Sequence, residues 1–185
     1  MLNLRLQITT QFIFCGIALL LSSCTPPPSK VIVSVRDQRL GYYHEGNLYK
    51  TYPISTSKYG IGSDPGSYRT PLGRHQIIEK IGDNLPAGAV LKNRKWTGEI
   101  LPPNAPGRDP IVSRILRLNG KETKNANSYQ RYIYIHGTPE EQNLGYPASY
   151  GCIRMSMCDI IELYEWVNRG AWIEIVPGSL PPTNQ

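Results

Sequence analysis

His136 and Cys152 stand sixteen positions apart, and the residues around each suit a base and a nucleophile. Residues 132–135, Tyr-Ile-Tyr-Ile, alternate as a strand does. Alternate side chains of a strand share a face. Tyr132, Tyr134 and His136 are therefore expected on one face, with Ile133 and Ile135 turned into a core. Gly137 and Pro139 stop the strand just beyond the imidazole. Cys152 follows Ser149, Tyr150 and Gly151. A glycine before a cysteine lets the backbone approach a ligand and leaves amide groups free to face it. A thiol attacks as its thiolate, which a neighbouring base or positive field stabilises. The expectation is a Cys152 thiolate activated by His136. Two such residues alone are more often a small buried hydrophobe and a structural imidazole, so the surrounding pattern must decide.

That pattern is specific. Residues 136–154, HGTPEEQNLGYPASYGCIR, resemble the signature of the L,D-transpeptidase catalytic domain. The family carries His-Gly, a loop of similar length, then Ser/Thr-x-Gly-Cys-(Ile/Val)-(Arg/Asn). Its x is often His and is Tyr150 here. Two further stretches resemble the family: Gln38 in a first hairpin, and Thr70-Pro71-Leu72-Gly73 leading into a strand.

The resemblance implies a mainly β fold, a sandwich or barrel-like domain with one clear helix after Cys152. It implies Cys152 as nucleophile, His136 as base, and the Gly137 carbonyl as the group that orients the imidazole. Amides near Tyr150, Gly151 and Cys152 would hold an oxyanion. Tyr134, Ser149, Tyr150, Gly151 and Arg154 would line the substrate site. Arg154 has two readings of equal weight, a fork for a substrate carboxylate or an internal ion pair bracing the loop. The implied partner is the stem peptide of peptidoglycan, which would acylate Cys152 and pass to an amine. No cofactor and no metal are implied; His44, His75 and His136 lack ligand spacing. A carboxypeptidase of the same fold would use water in place of the amine, and the motif does not separate the two. A murein-binding lipoprotein without activity would not need the His136–Cys152 pair. A papain-like protease would have its Cys before its His.

With 185 residues the chain has room for one ordinary domain and a short appendage. Its 40% apolar content supports a core, and 12 Tyr favour strands. The pattern predicts strands over residues 31–35, 39–44, 47–55, 75–81, 110–118 and 171–176, with a turn at Asn119-Gly120. Residues 82–109 read as irregular, either a lid over the site or a solvated excursion. His75 reads more readily as structural than as a substrate contact. Ser156 is expected to cap a helix, with Asp159 at its third position. Ile160, Ile161, Tyr164 and Val167 would form its buried face, and Gly170 would stop it. Cys158 falls in its first turn and is expected to pack, leaving Cys152 the reactive thiol.

The formal charge is +6. Arg5 is the only charge in residues 1–23, so without them the balance is 19 basic against 14 acidic residues, or +5. No basic run or nucleic-acid motif accompanies it, so attraction to an anionic envelope is expected and nucleic acid is not. Residues 12–21 form an apolar run behind Arg5, of the length of a secretion signal. Leu21-Ser22-Ser23-Cys24 resembles a lipobox, in which cleavage precedes a cysteine that takes a diacylglycerol. The expected division is a signal at 1–23, a lipidated Cys24 and Pro-rich spacer over 24–30, a catalytic domain over 31–177, and a tail at 178–185. Thr25 after the cysteine implies the outer membrane, facing the periplasm, and the domain is expected to be a monomer. Acyl chains contribute about 0.8 kcal/mol per buried CH₂, so several together hold firmly. Cys24→Ser should release the chain from membranes. In a bacterial host fed radioactive palmitate, wild type should take up label and the variant should not; an unlabelled wild type rejects the anchor.

Overall fold

Short alternating runs punctuated by Gly, Pro and Asn make strands, and one amphipathic run makes a helix. The computed structural model describes residues 29–182; Cys24, the 1–23 segment and the rest of the spacer before Ser29 lie outside the described residues. The chain begins β1 (Lys30–Ser34), β2 (Arg39–His44), β3 (Asn47–Pro53), β4 (Gly73–Ile81) and β5 (Ala89–Lys92). It continues β6 (Lys95–Ile100), β7 (Ile111–Gly120), β8 (Tyr134–Gly137), β9 (Ile153–Met155), α1 (Met157–Trp166) and β10 (Trp172–Val176). Among the described residues the fold is mainly β with one α-helix, which follows Cys152, as the sequence leads one to expect.

The strands run in the order β3-β2-β1-β10-β4-β7-β5-β6, with β8 on β7 and β9 on β8. Among the described strands, β1–β10 and β8–β9 are the parallel pairs. The sheet branches at β7. Val112 faces Val90 of β5 and Gly137 of β8, while Ile115 faces Ile81 of β4 and His136 of β8. Between them the register shifts, and Ser113 sits at φ +65°. A bulge of this kind bends a strand and re-aims its side chains. Here it lets one strand serve three partners and carry β8 towards the site.

The helix packs its apolar face on β7 and β8. Ile160, Leu163, Tyr164 and Val167 are buried with Leu116, Leu118, Ile133, Ile135, Ile153 and Met155. Ser156 Oγ accepts the Asp159 amide at 3.0 Å, the expected cap. Several expectations need correction. Leu163, not Ile161, completes the buried face, because positions 160, 163, 164 and 167 follow the helical repeat. The helix ends at Trp166 with Val167 already extended, ahead of Gly170. Cys158 lies on the opposite side of the first turn and is exposed rather than packed. Asn119 and Gly120 finish β7 instead of turning. Tyr132 precedes β8, at φ +56° and exposed, so it does not share the strand face of Tyr134 and His136. Finally, residues 82–109 contain the β5–β6 hairpin, turned at Asn93 and Arg94 with φ of +50° and +64°. Two residues at positive φ are what a tight right-twisted hairpin requires.

Leu163→Ala should cost about 2–5 kcal/mol of stability through the cavity it leaves. Ser156→Ala should cost about 1 kcal/mol through loss of the cap. Urea denaturation of the two variants checks the order; equal midpoints would contradict this account of the helix.

Candidate active site

His136 lies on β8 and Cys152 immediately precedes β9. The parallel β8–β9 pairing sets His136 opposite Arg154 and so brings the thiol loop to the imidazole. Both line a cavity of about 310 Å³ with Asp109, Ile111, Ser149, Tyr150 and Arg154. Gly137 admits the close packing beneath: a Cβ there would lie 2.6 Å from the Val112 oxygen and 3.0 Å from Ile160 Cγ2. Its carbonyl accepts from His136 Nδ1 at 2.9 Å. A carbonyl only accepts, so Nδ1 carries the proton and the Nε2 lone pair is left for the reaction.

The loop before Cys152 is held from three directions. Gly151 adopts φ +118°, a conformation that a side chain rarely tolerates. Thr70 Oγ1 donates to the Gly151 carbonyl at 3.1 Å and accepts the Ser57 amide at 3.0 Å. Ser149 Oγ donates to the Cys152 carbonyl at 2.6 Å and accepts the Gly151 amide at 3.2 Å. Gln38 grips Thr56 on both sides, donating to its hydroxyl at 2.7 Å and accepting its amide at 2.8 Å. The Thr56 carbonyl in turn accepts the Ser149 amide at 2.9 Å. Gln38 and the Thr-Pro-Leu-Gly turn, distant in sequence, thus converge on one loop. The Gly151 amide is committed within that loop, to Ser149 Oγ.

Arg154 is buried between two carboxylates, ion-paired with Asp109 and, at 3.3 Å, with Glu140. This is the internal brace among its two readings. Asp109 also accepts the Thr138 hydroxyl at 2.7 Å, so the end of the 82–109 segment is stitched to the His-Gly-Thr turn. Sequence reasoning missed Asp109, Glu140 and the Thr70–Gly151 bond. No local spacing marks them, since each partner lies on another segment.

Tyr134 is buried beside Leu91, Ile115 and Cys152, and fronts a neighbouring cavity of about 480 Å³ with Tyr132 and Arg94. The two cavities share Ile111. The β5–β6 hairpin forms a wall of this second space, a role that an irregular segment would not fill. Tyr150 is exposed, and its hydroxyl accepts from Lys58 Nζ at 3.0 Å. His75 is fully buried, joined to Ser128 Oγ at 2.9 Å and the Gly73 carbonyl at 3.0 Å, a structural imidazole.

Burial works against a preformed thiolate. Burial pushes the Cys152 thiol up to about 11, against the pull of the Tyr134 backbone and of the Arg154 and Arg131 guanidiniums. Burial likewise pushes His136 down to about 4; the Gly137 carbonyl opposes the shift and Arg154 adds to it. Both shifts favour the neutral forms, a thiol beside an imidazole, over a preformed thiolate–imidazolium pair. Cys152 Sγ lies 3.3 Å from the Tyr132 carbonyl, where the S–H donates.

A family model for the L,D-transpeptidase catalytic domain matches residues 28–175. The chain belongs to the L,D-transpeptidase catalytic-domain family. Its curated relative in Escherichia coli (strain K12), "Probable L,D-transpeptidase YcfS", is 28% identical over 155 residues, which are 81% of this chain and 44% of that protein. An L,D-transpeptidase from Mycobacterium smegmatis superposes with a TM-score of 0.52 at 18% identity, over 80% of this chain and 58% of that one. L,D-transpeptidase 3 from Mycobacterium tuberculosis, solved with a faropenem-derived adduct, gives 0.52 at 17% identity, over 80% and 60%. At such identity the solved L,D-transpeptidases speak for the fold alone. The chain spans less than half of the curated relative.

The buried imidazole makes stability depend on pH. Folded His136 takes its proton near 4, whereas the unfolded side chain takes it near 6.5. Between these values the unfolded chain binds more protons, so stability rises with pH across the window. His136 contributes its full share above 6.5 and loses it as pH falls towards 4, about 3 kcal/mol in all. His75, also pushed down by burial, acts in the same sense. Urea midpoints at pH 7 and pH 4.5 should therefore differ less in His136→Gln than in wild type. Identical differences would remove His136 from this linkage.

Proposed function

We propose that this chain is an L,D-transpeptidase that acts on peptidoglycan stem peptides through a thioester on Cys152. One observation carries the reading: His136, with Nδ1 held by the Gly137 carbonyl and Nε2 free, lines the same cavity as the Cys152 thiol. As sulfur attacks the carbonyl of the third residue of a tetrapeptide stem, His136 Nε2 takes the thiol proton. A neutral pair suits this order, because the proton moves only when the carbonyl arrives and no charge is buried beforehand. The oxyanion meets the amides of Tyr150 and Cys152, since that of Gly151 is engaged. The tetrahedral centre collapses, the terminal D-alanine amine departs with the proton from His136, and the thioester remains. A second stem's side-chain amine then attacks. His136 removes a proton from it, the new amide forms, and the proton returns to the departing thiol.

Tyr134 packs in the cluster that Cys152 joins and fronts a second cavity that shares Ile111 with the first, which suits two peptides meeting at one sulfur. Arg154 lines the cavity with its guanidinium already paired to Asp109 and Glu140, so its main part is to fix Asp109 and, through it, the His-Gly-Thr turn. Lipid attachment through Cys24 in the cell envelope would suit an enzyme whose substrate is an immobile polymer. Water in place of the amine would make the same site a carboxypeptidase; orientation of a bound amine, with an effective concentration that can reach about 10⁵ M, favours transfer.

The test is to incubate the full chain with purified tetrapeptide stems and weigh the products. Exchange of the terminal D-alanine for an added D-amino acid, and dimers at high stem concentration, are expected. Cys152→Ala should abolish both. Activity should hold from neutral pH down to about 5 and fall only as His136 approaches its pKa of about 4. Tripeptide as the sole product at every amine concentration would make the chain a hydrolase.

A further inference from the structure

Three tyrosine rings gather on the surface beside the Cys152 loop. Tyr59, Tyr68 and Tyr150 remain 48%, 59% and 54% exposed, yet their ring centroids lie only 5.8, 6.0 and 6.2 Å apart pairwise. Single exposed aromatics need no explanation, whereas a contiguous apolar patch marks a binding face. These rings are also held in place. Tyr68 sits at φ +55°, a conformation unusual for a bulky residue, and Ser57 Oγ donates to its carbonyl at 2.6 Å. Backbone kept in a costly conformation by its surroundings is a mark of a site that needs rigidity. Lys58 adds a cation: its ammonium lies 4.3 Å from the Tyr150 ring centroid and 5.4 Å from that of Tyr59. The strip is fused to the reactive loop, because a Cβ on Gly151 would sit 3.4 Å from the Tyr68 oxygen.

The chemistry of the patch selects its ligand. Its rings are inclined to one another by 43°, 53° and 83°, which makes a faceted cradle rather than a flat wall. The face of an aromatic ring is electron-rich and attracts the weakly positive C–H groups on the face of a pyranose, while phenol hydroxyls meet the sugar's rim. An ammonium beside the rings suits the carbonyl oxygen of an N-acyl group. A peptide strand would need a row of backbone donors and acceptors, and a lipid surface a wider apolar area with several cations. We propose that Tyr59, Tyr68 and Tyr150, with Lys58, form a platform on which N-acylated amino sugars of the peptidoglycan glycan strand stack while the attached stem enters the Cys152 cavity. This rests on the transpeptidase reading and adds the sugar to its substrate. Stacking on a platform fixed beside the loop keeps the stem at the nucleophile and raises its local concentration.

Binding is read first without turnover. The full chain carrying Cys152→Ala is titrated with chitotetraose, a sugar with no peptide, and followed by tyrosine fluorescence and calorimetry. Saturable binding is expected, weakened about tenfold or more by Tyr59→Ala or Tyr68→Ala and kept by Tyr59→Phe. Circular dichroism confirms that each variant is folded. In protein retaining Cys152, a tetrapeptide linked to its disaccharide should show a lower KM than the free tetrapeptide, and Tyr59→Ala should erase that preference. No saturable sugar binding, or binding indifferent to both alanine variants, overturns the platform. Equal weakening of sugar-free stems would overturn it too and reassign the patch to peptide. Because the sugar titration needs no nucleophile, failure of the platform and failure of the transpeptidase reading appear as separate results.

Discussion

Desolvation of a base and a nucleophile together is the constraint on which the site depends. Burial pushes the His136 pKa down and the Cys152 pKa up, so it favours the neutral form of each. A buried neutral imidazole still needs a partner for its N–H, and the nearest carbonyl along its own strand supplies it. That bond fixes the tautomer without introducing a charge. A carboxylate in the same role would have stabilised the imidazolium and drawn the proton off the thiol before a substrate arrived. The backbone carbonyl orients the ring and leaves the pair neutral.

The same low-dielectric surroundings explain why the cation beside the pair is so heavily tied. Arg154 lies in β9 opposite His136, with almost no contact with water. A buried guanidinium with one partner removed is strongly destabilising, because the remaining charge stays unsolvated. Two carboxylates from two separate loops answer this, Asp109 at the end of the β6–β7 connection and Glu140 in the turn after β8. Neutralising the charge therefore also pins three segments around the cavity. Electrostatic need and mechanical rigidity are met by one cluster.

The local part of this arrangement was legible in the sequence. His136, Gly137, Ser149, Gly151 and Cys152 fall within one short stretch, and the family resemblance that this stretch carries implies the pairing that β8 and β9 produce. Most strands were legible too, since alternation is a property of neighbours. The β5–β6 hairpin was not, because its turn uses Asn93 and Arg94 at positive φ without a glycine to announce it. Tyr132 looked like strand by alternation, but the backbone before β8 turns at that residue. The upward push of burial on the Cys152 thiol was not legible for a similar reason: the motif shows which base stands near the thiol, not how much of the pair the fold covers. Asp109, Glu140 and Thr70 depend on contacts between distant segments, and no pattern of neighbours encodes these.

What remains is how a site so buried in its chemistry addresses a polymer. The answer lies in where rigidity stops. Beneath the cavity, Gly137 lets α1 and β7 close on the imidazole, and Gln38, Thr56, Ser57 and Thr70 hold the loop from behind. On the outer side the same segments, 57–70 and 149–152, present tyrosines to solvent. One backbone framework thus has two faces, one fixing the reacting atoms and one offering contact area. Whatever settles on Tyr59, Tyr68 and Tyr150 is placed relative to Cys152 through hydrogen bonds a few residues long, with no hinge between. An error in position would be small for that reason, and position governs whether a thioester meets an amine or water.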